Sequence, residues 1–195
     1  MKTPVAAVLL MALVTSAAAD GLKGNCDVRF LATSTLHDFT GTARCQPFTV
    51  TLAAGAAGRQ VIPGVEIAVP VAEMDTENRK RDKQMRDMFQ GDRFPLIRAV
   101  LGNLDPDDIR QDMRKGPRGK GTVEFTLRIR DIEHRIRAVI RNLRETPGRV
   151  SFDAEFPVSL KEYDLKPPAP FFGAIRVGDK VTVNIAFRLE GATPK

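Results

Sequence analysis

The chain has 195 residues, enough for one domain with a substantial core, and its formal charge of +6 sets 30 Lys and Arg against 24 Asp and Glu. The basic residues are mostly scattered single arginines, and the aromatics include no Trp and one Tyr. That composition argues against a nucleic-acid partner, since base stacking needs aromatic platforms in a basic groove, and against a transmembrane barrel, which needs aromatic girdles.

At the N-terminus, Lys2 precedes an apolar run from Val5 to Val14, and Ala17-Ala18-Ala19 supplies the small-x-small pattern of a signal-peptidase site before Asp20. The run is well short of the roughly 20 apolar residues that span a bilayer. Residues 1–19 are therefore expected to be a signal peptide and 20–195 a single domain, periplasmic or secreted. In such an oxidising compartment Cys26 and Cys45, the only two cysteines, are expected to form a disulfide worth roughly 3 kcal/mol. The alternative is a pair of free buried thiols.

Beyond this point alternation with period two dominates. Weak runs near 27–32 and 39–52 come first. Val65, Ile67, Val69 and Val71 then alternate with Glu66, Ala68 and Pro70. The stretch opening at Asp75 and running to Phe89 breaks the pattern: it is charged, with Met85, Met88 and Phe89 on one helical edge. Asp75 or Thr76 is the expected N-cap and Gly91 the stop. A further weak strand near 96–104 leads into a long charged connection over 101–121. Val123, Phe125, Leu127 and Ile129 form the next apolar face, followed by Ile136, Ala138 and Ile140. Val150, Phe152, Ala154, Phe156, Val158 and Leu160 make another, and Val181, Val183, Ile185, Phe187 and Leu189 the last. Pro167, Pro168 and Pro170 stiffen a loop before Phe171 and Phe172. Each alternating run has one apolar and one polar face. The chain is therefore all-β, with about eight antiparallel strands and one or two short helices. A two-sheet sandwich and a closed barrel both satisfy this pattern.

Three stretches resemble the YceI-like family of periplasmic, lipocalin-like polyisoprenoid-binding proteins. The first is VRFLATSTLHDFTGT (28–42), a strand, a His-containing turn and a Phe-x-Gly second strand. The second is VEIAVPVAEMDTENRKRDKQMRDMFQGDRFPLIRA (65–99), with its Asp/Thr helix start, Arg-Asp pair and Phe-Pro-x-Ile lead into a strand. The third is LRIRDIEHRI (127–136), followed by FPVSLKEYDLKPP and RVGDKVTVNIAF. Asp131 stands where the family pattern has a turn glycine, and the 101–121 connection and the two cysteines lie outside that pattern. The resemblance selects the lipocalin-like barrel. It implies a polyisoprenoid, a quinone-like lipid or another long-chain lipid inside the barrel, and no further cofactor.

A prenyl or acyl tail makes few hydrogen bonds, so its site is a dry tunnel, and burial contributes about 0.8 kcal/mol per CH₂. The candidate wall comprises Val65, Ile67, Val69, Phe125, Leu127, Ile129, Ile136, Phe152 and Phe156. Met85, Met88 and Phe89 on the helix, and Phe171 and Phe172 on the loop, are candidates for the mouth; methionine suits varied apolar shapes. Plain core packing is the simpler reading of each of these residues taken singly. An anionic membrane surface is a second partner class, through outward Arg128, Arg130, Arg135, Arg137, Arg141 and Arg144, although a solvated face is the simpler reading. Monomer and homodimer are both open.

Catalytic patterns are missing from the sequence. His37 and His134 form no His-x-His or His-Glu-x-x-His pair; His37 is expected in a self-bonded turn and His134 exposed on a hairpin. No nucleophile elbow, P-loop or dinucleotide fingerprint occurs. Asp82 is expected as a helix-to-barrel salt bridge or cap, and Asp105–Asp108 lacks the ligand spacing of a calcium loop. The chain is therefore expected to bind rather than catalyse. The rivals are a filled-core interaction module and a cofactor-free enzyme at the barrel mouth.

Overall fold

The computed structural model describes residues 21–167 and 177–191, apart from the Arg118 side chain. The expected signal peptide, together with Phe171 and Phe172, lies outside those residues.

Strand β1 (Leu22–Ser34) sets the pattern: Cys26, Val28, Phe30 and Ala32 are buried while Asn25, Asp27, Arg29 and Leu31 face water. It is followed by β2 (Phe39–Arg44), β3 (Phe48–Val50), β4 (Ala53–Ala54), β5 (Gln60–Pro70), helix α1 (Arg79–Phe89), β6 (Leu96–Leu104), helix α2 (Pro106–Lys115), β7 (Gly121–Ile129), β8 (Ile132–Thr146), β9 (Arg149–Ser159) and β10 (Val177–Glu190). All strand pairings are antiparallel, in the order β2-β1-β10-β9-β8-β7-β6-β5-β4, with β3 also on β1. The chain runs as a meander from β5 to β10 and then closes back on its own first strand.

The expected strands all form. The described residues hold ten strands rather than eight because the weak run 39–52 bends into β2 and β3, and the short β4 is added beside β5. The sheet curls into a half-barrel. Its two ends meet through Gln46 N–H donating to the Ala68 carbonyl (2.8 Å) and through mutual Thr42 and Asp75 backbone bonds (2.8 and 2.9 Å). Such contacts give partners to backbone groups that an open edge leaves exposed.

Cys26 and Cys45 form the expected disulfide, with their Cα atoms 5.4 Å apart, and Cys45 N–H also bonds the Cys26 carbonyl. Opposite Phe30 in the ladder stands Gly41, where any Cβ would collide with the Phe30 ring. The glycine of the Phe-x-Gly stretch is there because the aromatic ring lies across the neighbouring strand.

On the outer face the arginines are cross-linked to carboxylates. Arg137 pairs with Glu124 (2.6 Å), its register partner, and holds that carboxyl below its ordinary value by hydrogen bonding and charge. Arg135 reaches the same Glu124, Arg128 pairs with Glu133, and Arg141 with Glu155. Exposed pairs of this kind contribute about 0–1 kcal/mol each. Arg130 differs from the outward expectation: its side chain is only 10% exposed and donates to the carbonyls of Tyr163 (3.0 Å) and Asp164 (3.1 Å). It also carries the positive φ of the β7–β8 turn, +56°, which the sequence pattern places on Asp131.

Candidate functional site

The inward faces do not fill the space they enclose. A cavity of about 930 Å³ runs between the strands, at the upper end of the ~300–1,000 Å³ common for small-molecule sites. Its middle is walled by Val28 and Phe30 of β1, Ile67 of β5, Phe125 and Leu127 of β7, Ile140 of β8, Phe156 of β9, and Val183, Ile185 and Phe187 of β10. Along β10 the wall extends from Val177 to Leu189, about 40 Å of strand at ~3.3 Å per residue. The ionisable residues that border the cavity (His37, Arg59, Lys80, Arg81, Asp107, Arg110 and Glu145) all stand at its two ends. The shaft between them offers dispersion contacts, so it suits a long apolar chain.

One end lies under α1. Asn78 caps the helix by accepting from Arg81 N–H at 3.0 Å. The expected caps, Asp75 and Thr76, are used otherwise. Asp75 is bridged to β2, and the buried Thr76 donates its N–H (2.9 Å) and hydroxyl (2.6 Å) to the buried Asp82 carboxylate. Arg81 in turn donates to the Thr76 hydroxyl and carbonyl, both at 2.8 Å, and lies over the Phe39 ring at 4.6 Å. Asp82 therefore ties the helix back to the segment before it by hydrogen bonds, nearer the expected cap than the expected helix-to-barrel salt bridge. The helix stops at Phe89 because Gln90 turns left-handed (φ 52°), allowing Gly91 N–H to bond the Arg86 carbonyl at 2.9 Å. Its Met85, Met88 and Phe89 all border the cavity.

The same end is braced by the turn after β9. Tyr163, fully buried at 0% exposure, donates its hydroxyl to the Leu127 carbonyl at 3.1 Å. Its ring meets His134 edge-on at 4.8 Å, and His134 Nε2 lies 2.9 Å from the Glu162 carbonyl. His134 is therefore a half-buried packing residue rather than an exposed hairpin residue. Burial pushes the Tyr163 hydroxyl up to about 12. His37 sits in the Ser34–Asp38 turn, where its backbone N–H and carbonyl both bond the Ser34 hydroxyl (3.2 and 2.6 Å).

The other end lies under α2, which occupies the connection that the sequence presents only as charged. Asp105 caps it by accepting from Asp107 N–H at 2.8 Å, and Pro106 opens its first turn. The Asp105–Asp108 cluster is thus a helix start. Arg110 pairs with Glu145 (2.7 Å) and Asp107 (2.6 Å), and Arg59 with Asp105 (2.5 Å) and Asp108 (2.7 Å). Hydrogen bonding to these carboxylates raises the pKa of both arginines, so both remain charged.

Of the candidate wall, Val65, Ile67, Val69, Phe125, Leu127, Ile129, Phe152 and Phe156 border the cavity. Ile136 does not: it is buried in packed core beside Phe125, its register partner. Phe171 and Phe172 lie outside the described residues. Sequence reading missed Leu101, Leu104 and Ile109, which line the α2 end. Their signal was an apolar spacing diluted by charge. A second recess of about 950 Å³ lies over polar side chains including Asp27, Arg44, Asp153 and Glu155, whose charges largely pair among themselves.

The described residues hold no group of three or more His, Cys, Asp or Glu placed to bind a metal, and no described helix is long and apolar enough to cross a membrane.

Comparisons with known proteins agree with this geometry. A polyisoprenoid-binding domain from Saccharophagus degradans implicated in plant cell wall breakdown superposes with a TM-score of 0.63 at 13% identity, covering 89% of this chain and 98% of that one. Burkholderia cenocepacia BcnA gives 0.59 at 13% identity, over 84% and 95% of the two chains. The Campylobacter jejuni YCEI protein gives 0.51 at 13% identity, over 75% and 82%. At such identities the likeness is one of fold. No curated protein matches the chain. A family model described as YceI-like domain, however, matches residues 24–189, nearly the whole of the described sheet, and the chain belongs to the YceI-like family.

Proposed function

We infer that this protein is an exported lipid binder that holds a long isoprenoid or acyl chain, such as a quinone tail, in the shaft between its two helices. The observation that carries the reading is the apolar cavity: about 930 Å³ of space, apolar along its middle and polar only at its ends. Each CH₂ buried there contributes about 0.8 kcal/mol, and a preformed tube lowers the ordering cost of binding. The polyisoprenoid-binding domain among its structural neighbours supports the same ligand class. Export is supported by the Lys2 and Val5–Val14 pattern and by the Cys26–Cys45 disulfide, a bond that persists in oxidising compartments. Binding and carriage, rather than catalysis, is the activity such a shaft supports.

Native mass spectrometry and organic extraction of the purified mature protein should return one lipid per chain. A lipid-free protein that takes up neither a prenyl alcohol nor a fatty acid overturns the reading. Ala99, half-buried on the cavity wall at mid-strand, is the position to block: Ala99→Trp should weaken uptake by roughly tenfold or more, the loss of about two buried CH₂ groups.

A further inference from the structure

The sheet is not continuous at the α2 end. Strands β6 and β7 pair at only three positions, Arg98 with Arg128, Ala99 with Leu127 and Val100 with Thr126. Past that point β6 turns to β5 alone, through Leu101 with Val65, Gly102 with Gly64 and Leu104 with Ile62. Likewise β7 turns to β8 alone, from Gly121 with Ile140 to Phe125 with Ile136. The strands part like a V, with cavity-lining Leu101, Leu104, Val123 and Phe125 on its banks. Helix α2 closes the gap.

We propose that α2 is the door of a lateral opening between β6 and β7, through which the lipid tail enters and leaves the cavity. The proposal rests on the cavity holding a lipid. Its first support is how lightly the helix is seated. No residue of α2 is buried; its inward apolar contacts with the core are Ile109 and Met113, and Pro106, Asp107 and Arg110 border the cavity beside Ile109. Its seat is Gly121, where a Cβ would meet Met113 Cγ at 2.8 Å and the Ile109 carbonyl at 3.2 Å. The missing side chain lets the helix lie down on the end of β7.

The second support is what fastens it. Arg59, just before β5 on one bank, holds Asp105 and Asp108, and Glu145 of β8 on the other bank holds Arg110. The Arg59 and Arg110 side chains are 49% and 38% exposed and that of Glu145 38%, so solvent and salt weaken the latch. The third support is the flank: Gly116, Gly119 (φ +64°) and Gly121 follow the helix within six residues, and short glycine-bearing connections can absorb the dihedral change of a hinge. Opening exposes Ile109, Met113 and the apolar banks of the gap, but it unseats no fully buried side chain of the helix, which places α2 among the elements a fold can move without unfolding.

The test uses the full mature chain. Asp112 and Thr122 lie side by side across the helix–strand contact (3.4 Å) and are exposed, and the native cysteines are already bonded to each other. Asp112→Cys with Thr122→Cys, joined after folding by a short non-reducible bis-maleimide, should staple the door. Loading is followed with a dansyl-labelled fatty acid presented in phosphatidylcholine vesicles. The stapled protein should load at least about tenfold more slowly than the same variant with both thiols capped, and should bind the same amount at equilibrium. Glu145→Gln should load roughly two- to fivefold faster than wild type, the factor one exposed pair supplies. About 1 M salt, which shortens screening to ~3 Å, should accelerate wild type and accelerate Glu145→Gln less, since only the Arg59 pairs are left there to screen. Equal loading rates for stapled and capped protein overturn the door alone. Failure of every form to bind the probe overturns the lipid reading and the door with it.

Discussion

Helices α1 and α2 cover opposite ends of one cavity with similar materials: a capping Asn or Asp, arginines near carboxylates and two or three apolar residues at helical spacing. What separates them is water. At α1 the tie runs through Thr76 and Asp82, both buried, and Met85 and Phe89 are buried beside it. At α2 every ion pair has an exposed member and no side chain is buried. Hydrogen bonds to a buried carboxylate hold strongly, whereas ion pairs open to water hold weakly. One end is thereby built as a wall and the other as a cover.

The contrast can be tested by stability in urea, beginning with the largest effect. Phe89→Ala should cost about 3–5 kcal/mol, the usual loss for a buried phenylalanine; Ile109→Ala should cost much less. A smaller value for Phe89 than for Ile109 would reverse the assignment of wall and cover. Next, Asp82→Ala leaves the Thr76 N–H and hydroxyl without their acceptor, and should cost about 3 kcal/mol. Tyr163→Phe removes the bond to the Leu127 carbonyl for about 1 kcal/mol, and adds a pH signature. Burial holds the Tyr163 hydroxyl at about 12, above the ~10 of an unfolded chain. The stability tied to its proton is present below about pH 10 and drains away as pH rises toward 12. Alkaline unfolding followed by circular dichroism should show that slope in wild type and not in Tyr163→Phe. The smallest effect belongs to Glu145→Gln, at most about 1 kcal/mol and vanishing in high salt. A loss there equal to that of Asp82→Ala would make both ends equally fixed.

How far these features can be read from the chain depends on burial. The strands are legible because a sheet with one wet face imposes strict alternation, and β7, β9 and β10 carry it almost without a break. Met85, Met88 and Phe89 are legible for the helical equivalent, their three- and four-residue spacing. Alternation identifies a face and says nothing of what the face meets. Ile136 and Phe125 are therefore equivalent in the sequence, yet only Phe125 borders the cavity. Helix α2 was obscured by its charges, although Asp105-Pro106 followed by Ile109 and Met113 is a cap, a first-turn proline and an apolar edge. Its start reads as acidic clutter until the capping bond is seen. Asn78 gains the cap of α1 only because Asp75 and Thr76 are committed to long-range partners, which no local pattern reveals. The Tyr163, Arg130 and His134 contacts join segments some thirty residues apart, so they too lie beyond local reading.

Gly41 and the Phe30 ring lying over it narrow the choice of residue at one point on the wall; the shaft itself narrows the choice of guest by reach. Its walls grip every methylene alike and its polar groups stand only at the two rims. A guest therefore gains affinity with each added carbon until it spans from one rim to the other, and further carbons project into water and add nothing. Affinity plotted against tail length should climb and then level off, and the corner of that curve would measure the protein's interior as a gauge measures a rod.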